Sequence, residues 1–143
     1  MFTVSLQKRC LAAALLASAA AALTLSAAAA AAPYSQAPVT EYTLLPKFCW
    51  GQFNDELVGE EYWIAGCGVG TNHYCEGLLD LQRSKKAKNL DQRKMMLGRA
   101  KTNTVYTIGW IQREGFTATC KITPHVQQTM KEIELQFQIY HIK

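Results

Sequence analysis

Three stretches in the second half of the chain space apolar residues three or four positions apart, which is typical of amphipathic helices. The first stretch begins at Thr71 or Asn72, either of which can cap free helix amides, and it runs to about Ala87. Basic side chains near its end suit the negative end of the helix dipole. Its apolar stripe consists of Tyr74, Leu78 and Leu81, with Cys75 and Leu79 beside it. The pattern therefore predicts a helix that buries one face.

The second stretch opens with a capping-box signature, with Asn89 as the cap and a glutamine three residues later. It continues to Glu114 and ends before a glycine, a common residue just past a helix end. Gly98 and Gly109 lower its helix propensity, so we expect close packing against a neighbour to compensate. Its predicted buried stripe consists of Leu97, Ala100, Thr104, Ile108 and Ile111.

The third stretch begins at Thr123, which serves as a cap and is followed by a proline at the first helical position. Its apolar face consists of Val126, Met130, Ile133, Phe137 and Tyr140. Because the connections are short, consecutive helices should be antiparallel neighbours. The start of the first helix, the end of the second and the start of the third then share one pole. The sequence predicts an all-α domain of three main helices.

The first 31 residues have the composition of a secretory signal peptide. Lys8 and Arg9 precede an uncharged run of Ala, Leu, Ser and Thr over residues 11–32. Small residues offer cleavage near Ala30 or Ala31, and an uncleaved membrane anchor is the alternative. We therefore expect an exported protein that resides in the periplasm of a Gram-negative bacterium.

The segment between the signal and the helices lacks a helical period. Residues 32–44 are predicted to form a flexible tether, and the helical domain should span 45–143. An extended arm over 41–48, interrupted by Pro46, can lie on the core. The mixed aromatic and acidic segment 50–64 can form a short helix.

The net charge of the exported form argues against one class of partner. The full chain has 15 basic and 11 acidic residues; losing Lys8 and Arg9 leaves 13 against 11, a net charge of +2. This excess is too small to indicate nucleic-acid binding. Contact with a membrane is expected only through an uncleaved signal.

Four of the five cysteines lie after the signal, and an even number in an oxidising compartment predicts two disulfides. Cys67 precedes the first helix and Cys120 follows the second, so both fall at the shared pole. Cys75 lies in the first turn of the first helix, where the arm that carries Cys49 can dock. We therefore predict the pairs Cys67–Cys120 and Cys49–Cys75 over the two other connectivities.

Two motifs resemble those of exported bacterial proteins related to tetratricopeptide repeats. The segment Leu45-Pro46-Lys47-Phe48-Cys49 resembles their Leu-Pro-x-x-Cys arm, and residues 72–78 resemble the helix that carries their His-Tyr-Cys-x-Gly-Leu motif. The similarity covers about residues 45–140. It implies a repeat-like helical hairpin plus one helix, with an exposed groove that binds protein. It also supports the pairing of Cys49 with Cys75.

The sequence contains no Gly-x-Ser-x-Gly turn, P-loop or His-Glu-x-x-His motif. We therefore expect a non-catalytic interaction or scaffold module without a cofactor. Its partner would be another envelope protein or a second copy of the chain. The predicted partner-binding residues are three aromatic and three basic ones: Trp63, Tyr106, Trp110, Arg83, Lys85 and Lys86.

A metal- or cofactor-binding carrier is the alternative function. Cys67, His73, Cys120 and His125 all fall near one end of the predicted domain. Two thiolates and two imidazoles would suit tetrahedral zinc. A disulfide between the two cysteines would compete with this site.

Overall fold

A computed structural model describes residues 37–143; the predicted signal peptide and residues 32–36 of the predicted tether lie outside this range. Between residues 37 and 143 the chain forms helices and turns without a β-strand, which confirms the all-α fold class. The α-helices are α1 (Val39–Tyr42), α2 (Asn72–Lys85), α3 (Leu90–Arg113) and α4 (Thr123–Ile139). Short 3-10 turns occupy Lys47–Gln52, Glu60–Tyr62, Val69–Thr71 and Phe116–Ala118.

The central element is α3, which packs against both α2 and α4. In the first half of α3, Arg99 lies 3.2 Å from the buried carboxylate of Asp80 on α2. Further along α3, Asn103 contacts His73, which precedes Asp80 on α2. The order of these contacts is reversed between the two helices, so α2 and α3 are antiparallel as predicted.

The pairing of α3 with α4 has the same reversed order. Leu97 in the first half of α3 packs in one cluster with Ile133 in the second half of α4. Ile111 near the end of α3 packs in another cluster with Val126 near the start of α4. The predicted antiparallel arrangement of the three main helices is therefore observed.

Capping fixes the start of α3. The backbone amide of Gln92 donates to Oδ1 of Asn89 at 2.8 Å, which confirms Asn89 as the cap. The side chain of Gln92 in turn accepts from the amide of Lys88 at 3.1 Å. After α3 ends, Gly115 has φ +72°, a left-handed conformation that favours glycine.

The predicted caps of the other two helices are wrong. Thr71 occupies the cap position of α2 and Thr123 is the first residue of α4, but neither side chain accepts from a helix amide. Their hydroxyls donate to preceding carbonyls instead. The Thr71 hydroxyl lies 2.6 Å from the Gly68 oxygen, and that of Thr123 lies 2.8 Å from the Cys120 oxygen. Both threonines thus close the turn that leads into the helix.

The N-terminal arm is helical and packed, whereas the sequence suggested a loose tether followed by an extended arm. Pro38 and Pro46 immediately precede α1 and the Lys47–Gln52 turn, where a missing amide hydrogen costs nothing. Tyr42 is buried and packs in one cluster with Phe53 and with Leu79 of α2. The described part of the predicted tether, residues 37–44, therefore belongs to the folded domain.

Two disulfides join the arm and the loops to the helices. Cys49 is bonded to Cys75 and Cys67 to Cys120, with Cα separations of 5.4 and 4.7 Å. Both predicted pairings are confirmed, and all four cysteines are buried. These disulfides are consistent with an oxidising, exported environment. Among the helices of residues 37–143, none combines the length and apolarity that a membrane crossing requires.

Candidate interaction surface

Two of the three predicted aromatic anchors support the domain itself. The indole of Trp63 lies against Gly51, where an added Cβ would come within 2.5 Å of the ring, and its Nε1 donates to the Leu57 carbonyl at 3.1 Å. Trp110 is half-buried against the glycine loop that includes Gly68. Both tryptophans therefore hold loops in place, although Trp63 keeps 42% of its surface exposed.

The buried Nε1 of Trp110 has no hydrogen-bond partner among residues 37–143. The guanidinium of Arg113 lies 5.4 Å from the centre of the same ring, on the surface of α3. A Cβ added at Gly68 would lie 2.8 Å from this Nε1, and one added at Gly70 would overlap the ring, so the indole packs closely against the glycine loop.

Tyr106 is the predicted anchor that remains accessible, with 44% of its surface exposed. Its ring centroid lies 4.3 Å from that of His73 on α2. The Nδ1 of His73 lies 3.1 Å from Oδ1 of Asn103 and 3.6 Å from Oε2 of Glu76. Burial raises the pKa of Glu76, and the nearby His73 partly opposes that rise. Tyr106 thus stands on α3 beside a small polar cluster.

Two of the three basic residues predicted to bind a partner form ion pairs within the domain. Arg83 contacts Glu41 of α1 at 2.6 Å, and Lys85 contacts Glu132 of α4 at 2.6 Å. Lys86 is exposed just after the end of α2. These pairs fasten neighbouring elements to α2, so much of the charge predicted for docking is already neutralised.

The residues of the predicted zinc site do not form one. Cys67 and Cys120 are bonded to each other, so neither sulfur is available as a thiolate ligand. His73 faces Asn103, and His125 is exposed on α4. Residues 37–143 contain no group of three or more His, Cys, Asp or Glu that could hold a metal ion.

The sequence analysis did not identify the exposed surface of α3 that faces away from α2 and α4 as a possible binding surface. We call this surface the outer face of α3; it consists of Asp91, Met95, Gly98, Thr102, Val105, Tyr106, Gly109 and Arg113. It lies opposite the buried stripe of Leu97, Ala100, Thr104, Thr107 and Ile111. Met95 and Val105 keep 54% and 49% of their surface exposed. Between its two charged ends the outer face is uncharged.

Gly98 and Gly109 belong to this outer face, so the predicted close packing against a neighbour is wrong within the described chain. A Cβ added at either glycine would meet no atom of residues 37–143 within 4 Å. The hydroxyl of Thr102 donates to the Gly98 carbonyl at 3.0 Å. The sequence did contain the signal, since residues 95, 98, 102, 105 and 109 follow a three-and-four spacing.

Cations flank the outer face on both sides: Lys94 is exposed beside Met95, and two others interact with neighbouring helices. Arg99 is directed towards Asp80 of α2. The ammonium of Lys101 lies 5.5 Å from the ring centre of Phe137 on α4. A shallow depression at Gly98, whose wall includes Met95 and Thr102, is bordered by Lys94, Arg99 and Asn103.

Comparisons with protein-family models, curated proteins and solved structures found no match to this chain.

Proposed function

We propose that the exported chain is a non-catalytic periplasmic protein-interaction or scaffold module that binds its partner through the outer face of α3. The observation that carries this proposal is the accessible, uncharged centre of that face on a 24-residue helix. Helix-in-groove and helix-on-helix recognition use residues spaced by three and four positions in this way. Tyr106 at its edge is the kind of amphipathic side chain that is enriched in binding hot spots.

The architecture supports presentation of a fixed surface. The disulfides join the arm to α2 and the loop before α2 to the turn before α4. The opposite side of α3 packs on α2 and α4, so its outer face is held in place before any partner arrives. A preorganised surface loses less conformational entropy on binding than a flexible one does.

Two inferences from the sequence support the proposed compartment and class of function. The predicted signal peptide and the two disulfides fit export into the periplasm. The resemblance to exported proteins related to tetratricopeptide repeats implies a helical scaffold that binds protein. The polar groups beside Tyr106, those of His73 and Glu76, interact with neighbouring side chains, and we assign them a structural role.

Site-specific photo-crosslinking in the producing cell tests this function. A photoreactive amino acid at Thr102 samples the centre of the outer face, and one at Gln128, an exposed position on α4, is the matched control. We expect a discrete protein adduct from position 102 and none from position 128. Absence of an adduct at 102, or the same adduct at both positions, would refute binding through this face.

A further inference from the structure

We propose that the partner of the outer face is a second copy of this chain, packed with its α3 antiparallel to the first and with the twofold axis at Thr102. This inference rests on the proposed function and specifies its partner. In such a symmetric dimer, a residue that lies n positions before Thr102 faces the residue n positions after it on the other copy. The outer face can therefore be tested for complementarity with itself.

The sizes of the side chains are complementary in this register. Met95 precedes Thr102 by seven residues and Gly109 follows it by seven, so the exposed methionine of one copy faces a glycine of the other. Gly98 precedes Thr102 by four residues and Tyr106 follows it by four, so the exposed tyrosine also faces a glycine. Both glycines have open space at their Cβ positions, where a side chain from the second copy fits. The distance between packed helices depends on the side chains at their contact, so these glycines permit a close approach.

The charges of α3 are complementary in the same register. Asp91 precedes Thr102 by eleven residues and Arg113 follows it by eleven, so each end of the contact joins an acid and a base. A parallel pair would instead bring Asp91 next to Asp91 and Arg113 next to Arg113. Arg113 pairs with the adjacent Glu114 at 3.4 Å and lies 5.4 Å from the Trp110 ring, but its side chain keeps 62% of its surface exposed, so its guanidinium is accessible to a second copy.

No basic residue of α3 faces another basic residue in this arrangement. Lys94 falls opposite Trp110, and Arg99 falls opposite Val105. Lys101 lies nearest the axis, and its ammonium is held over Phe137 of its own α4. This agreement of size and charge in a single register is the reason that we infer a second copy as the partner.

Sedimentation equilibrium of the exported form, with its disulfides intact, tests the dimer. We expect a reversible monomer–dimer equilibrium. Asp91→Arg and Arg113→Asp should each weaken the dimer by about tenfold or more, since twofold symmetry makes each substitution act twice. The double variant with both substitutions should restore it, because the two charges are exchanged. Glu134→Arg, a charge reversal at an exposed position of α4, is the matched control and should leave the equilibrium unchanged.

Gly109→Gln provides a second test that does not depend on charge. Glutamine is a better helix former than glycine, so the monomer should remain folded while the space for Met95 of the second copy is filled. Loss of the dimer with retained helical circular dichroism is the expected result. A dimer that tolerates Gly109→Gln, or a double charge exchange that fails to restore association, would overturn the proposed arrangement.

The failure of this inference can be told apart from the failure of the proposed function. A chain that stays monomeric, together with a crosslinked adduct at Thr102 whose mass differs from that of two copies, overturns the self-association and keeps the interaction function. An adduct with the mass of two copies supports both. Absence of association and of any adduct refutes both.

Discussion

Four glycines allow a sharp test of helix packing, because the same change to alanine should stabilise the protein at two of them and destabilise it at the other two. Gly98 and Gly109 have open space at their Cβ positions. Alanine removes the entropic penalty of a helical glycine, so each substitution should raise the free energy of unfolding of the monomer by about 0.5–1 kcal/mol.

Gly77 on α2 should behave in the opposite way. Its Cβ would lie 3.1 Å from Oγ1 of Thr104 and 3.2 Å from the carbonyl oxygen of Ala100 on α3. These two atoms are hydrogen-bonded to each other at 2.8 Å, so neither can move away without disturbing the other. Overpacking costs about 1–3 kcal/mol, which outweighs the gain in helix propensity. Gly77→Ala should therefore lower the free energy of unfolding by about 1 kcal/mol, the difference of these two effects.

Substitution of Gly115 by alanine tests the effect of backbone strain without a change in packing. A Cβ there would meet no described atom within 4 Å, but the residue has φ +72°. An alanine forced into this left-handed conformation costs about 1–2 kcal/mol, so the substitution should be destabilising for a conformational reason alone.

Urea unfolding followed by far-ultraviolet circular dichroism measures all four variants, with the disulfides oxidised and the protein dilute enough to be monomeric. Equal slopes of the transitions would show that the midpoints report stability. If Gly77→Ala stabilised the protein as much as Gly98→Ala, the close approach of α2 and α3 would be wrong. If Gly98→Ala destabilised the dilute protein, the outer face of α3 would not be open.

Three further changes test other parts of the domain. Replacing both Cys67 and Cys120 with alanine should lower the free energy of unfolding by about 4 kcal/mol, since this disulfide joins residues 53 apart in sequence. If urea titration showed a loss of less than half of that value, the loop-entropy argument would be wrong. Asn89→Ala should cost about 1 kcal/mol through loss of the α3 cap, whereas Asn89→Asp should retain the melting temperature. Because burial raises the pKa of Glu76 above its unfolded value, stability from this group is fully present at low pH and is lost as the pH rises through the folded pKa. Glu76→Gln should accordingly be more stable than the natural protein at neutral pH, with a difference that vanishes on acidification; a difference independent of pH would contradict this.

Helix positions could be predicted from the sequence because their determinants lie within a few residues. The predicted second helix begins after Asn89 and reaches Glu114, and α3 spans Leu90–Arg113. The capping side chain, the apolar spacing and the glycine that follows act over one or two turns. The caps at Thr71 and Thr123 were wrong because a threonine hydroxyl can close the preceding turn as readily as it can cap the helix.

The Cys67–Cys120 pair could also be predicted, because it depends only on the order of the helices and their antiparallel packing. The Cys49–Cys75 pair also required the arm to dock on the first helix, which the sequence allowed. The helical form of the arm and the residues that it buries could not be predicted. Tyr42 and Phe53 lie in an aperiodic segment, and only their packing against Leu79 of α2 gives them a place in the core. Likewise, the ion pairs of Arg83 and Lys85 join residues distant in sequence, so the sequence did not show that these two charges are paired within the domain.

By itself, the sequence determined the helical class, the extent of α3 and the partners of the four cysteines. The spacing along α3 places Gly98 and Gly109 on one side of the helix, but only the tertiary structure decided that no part of residues 37–143 covers that side. The low helix propensity of a glycine is the same on either side of a helix, so it shows that something must compensate without showing where. The location depends on which residues of α2 and α4 cover α3, and those contacts join parts of the chain too far apart for a local pattern to encode.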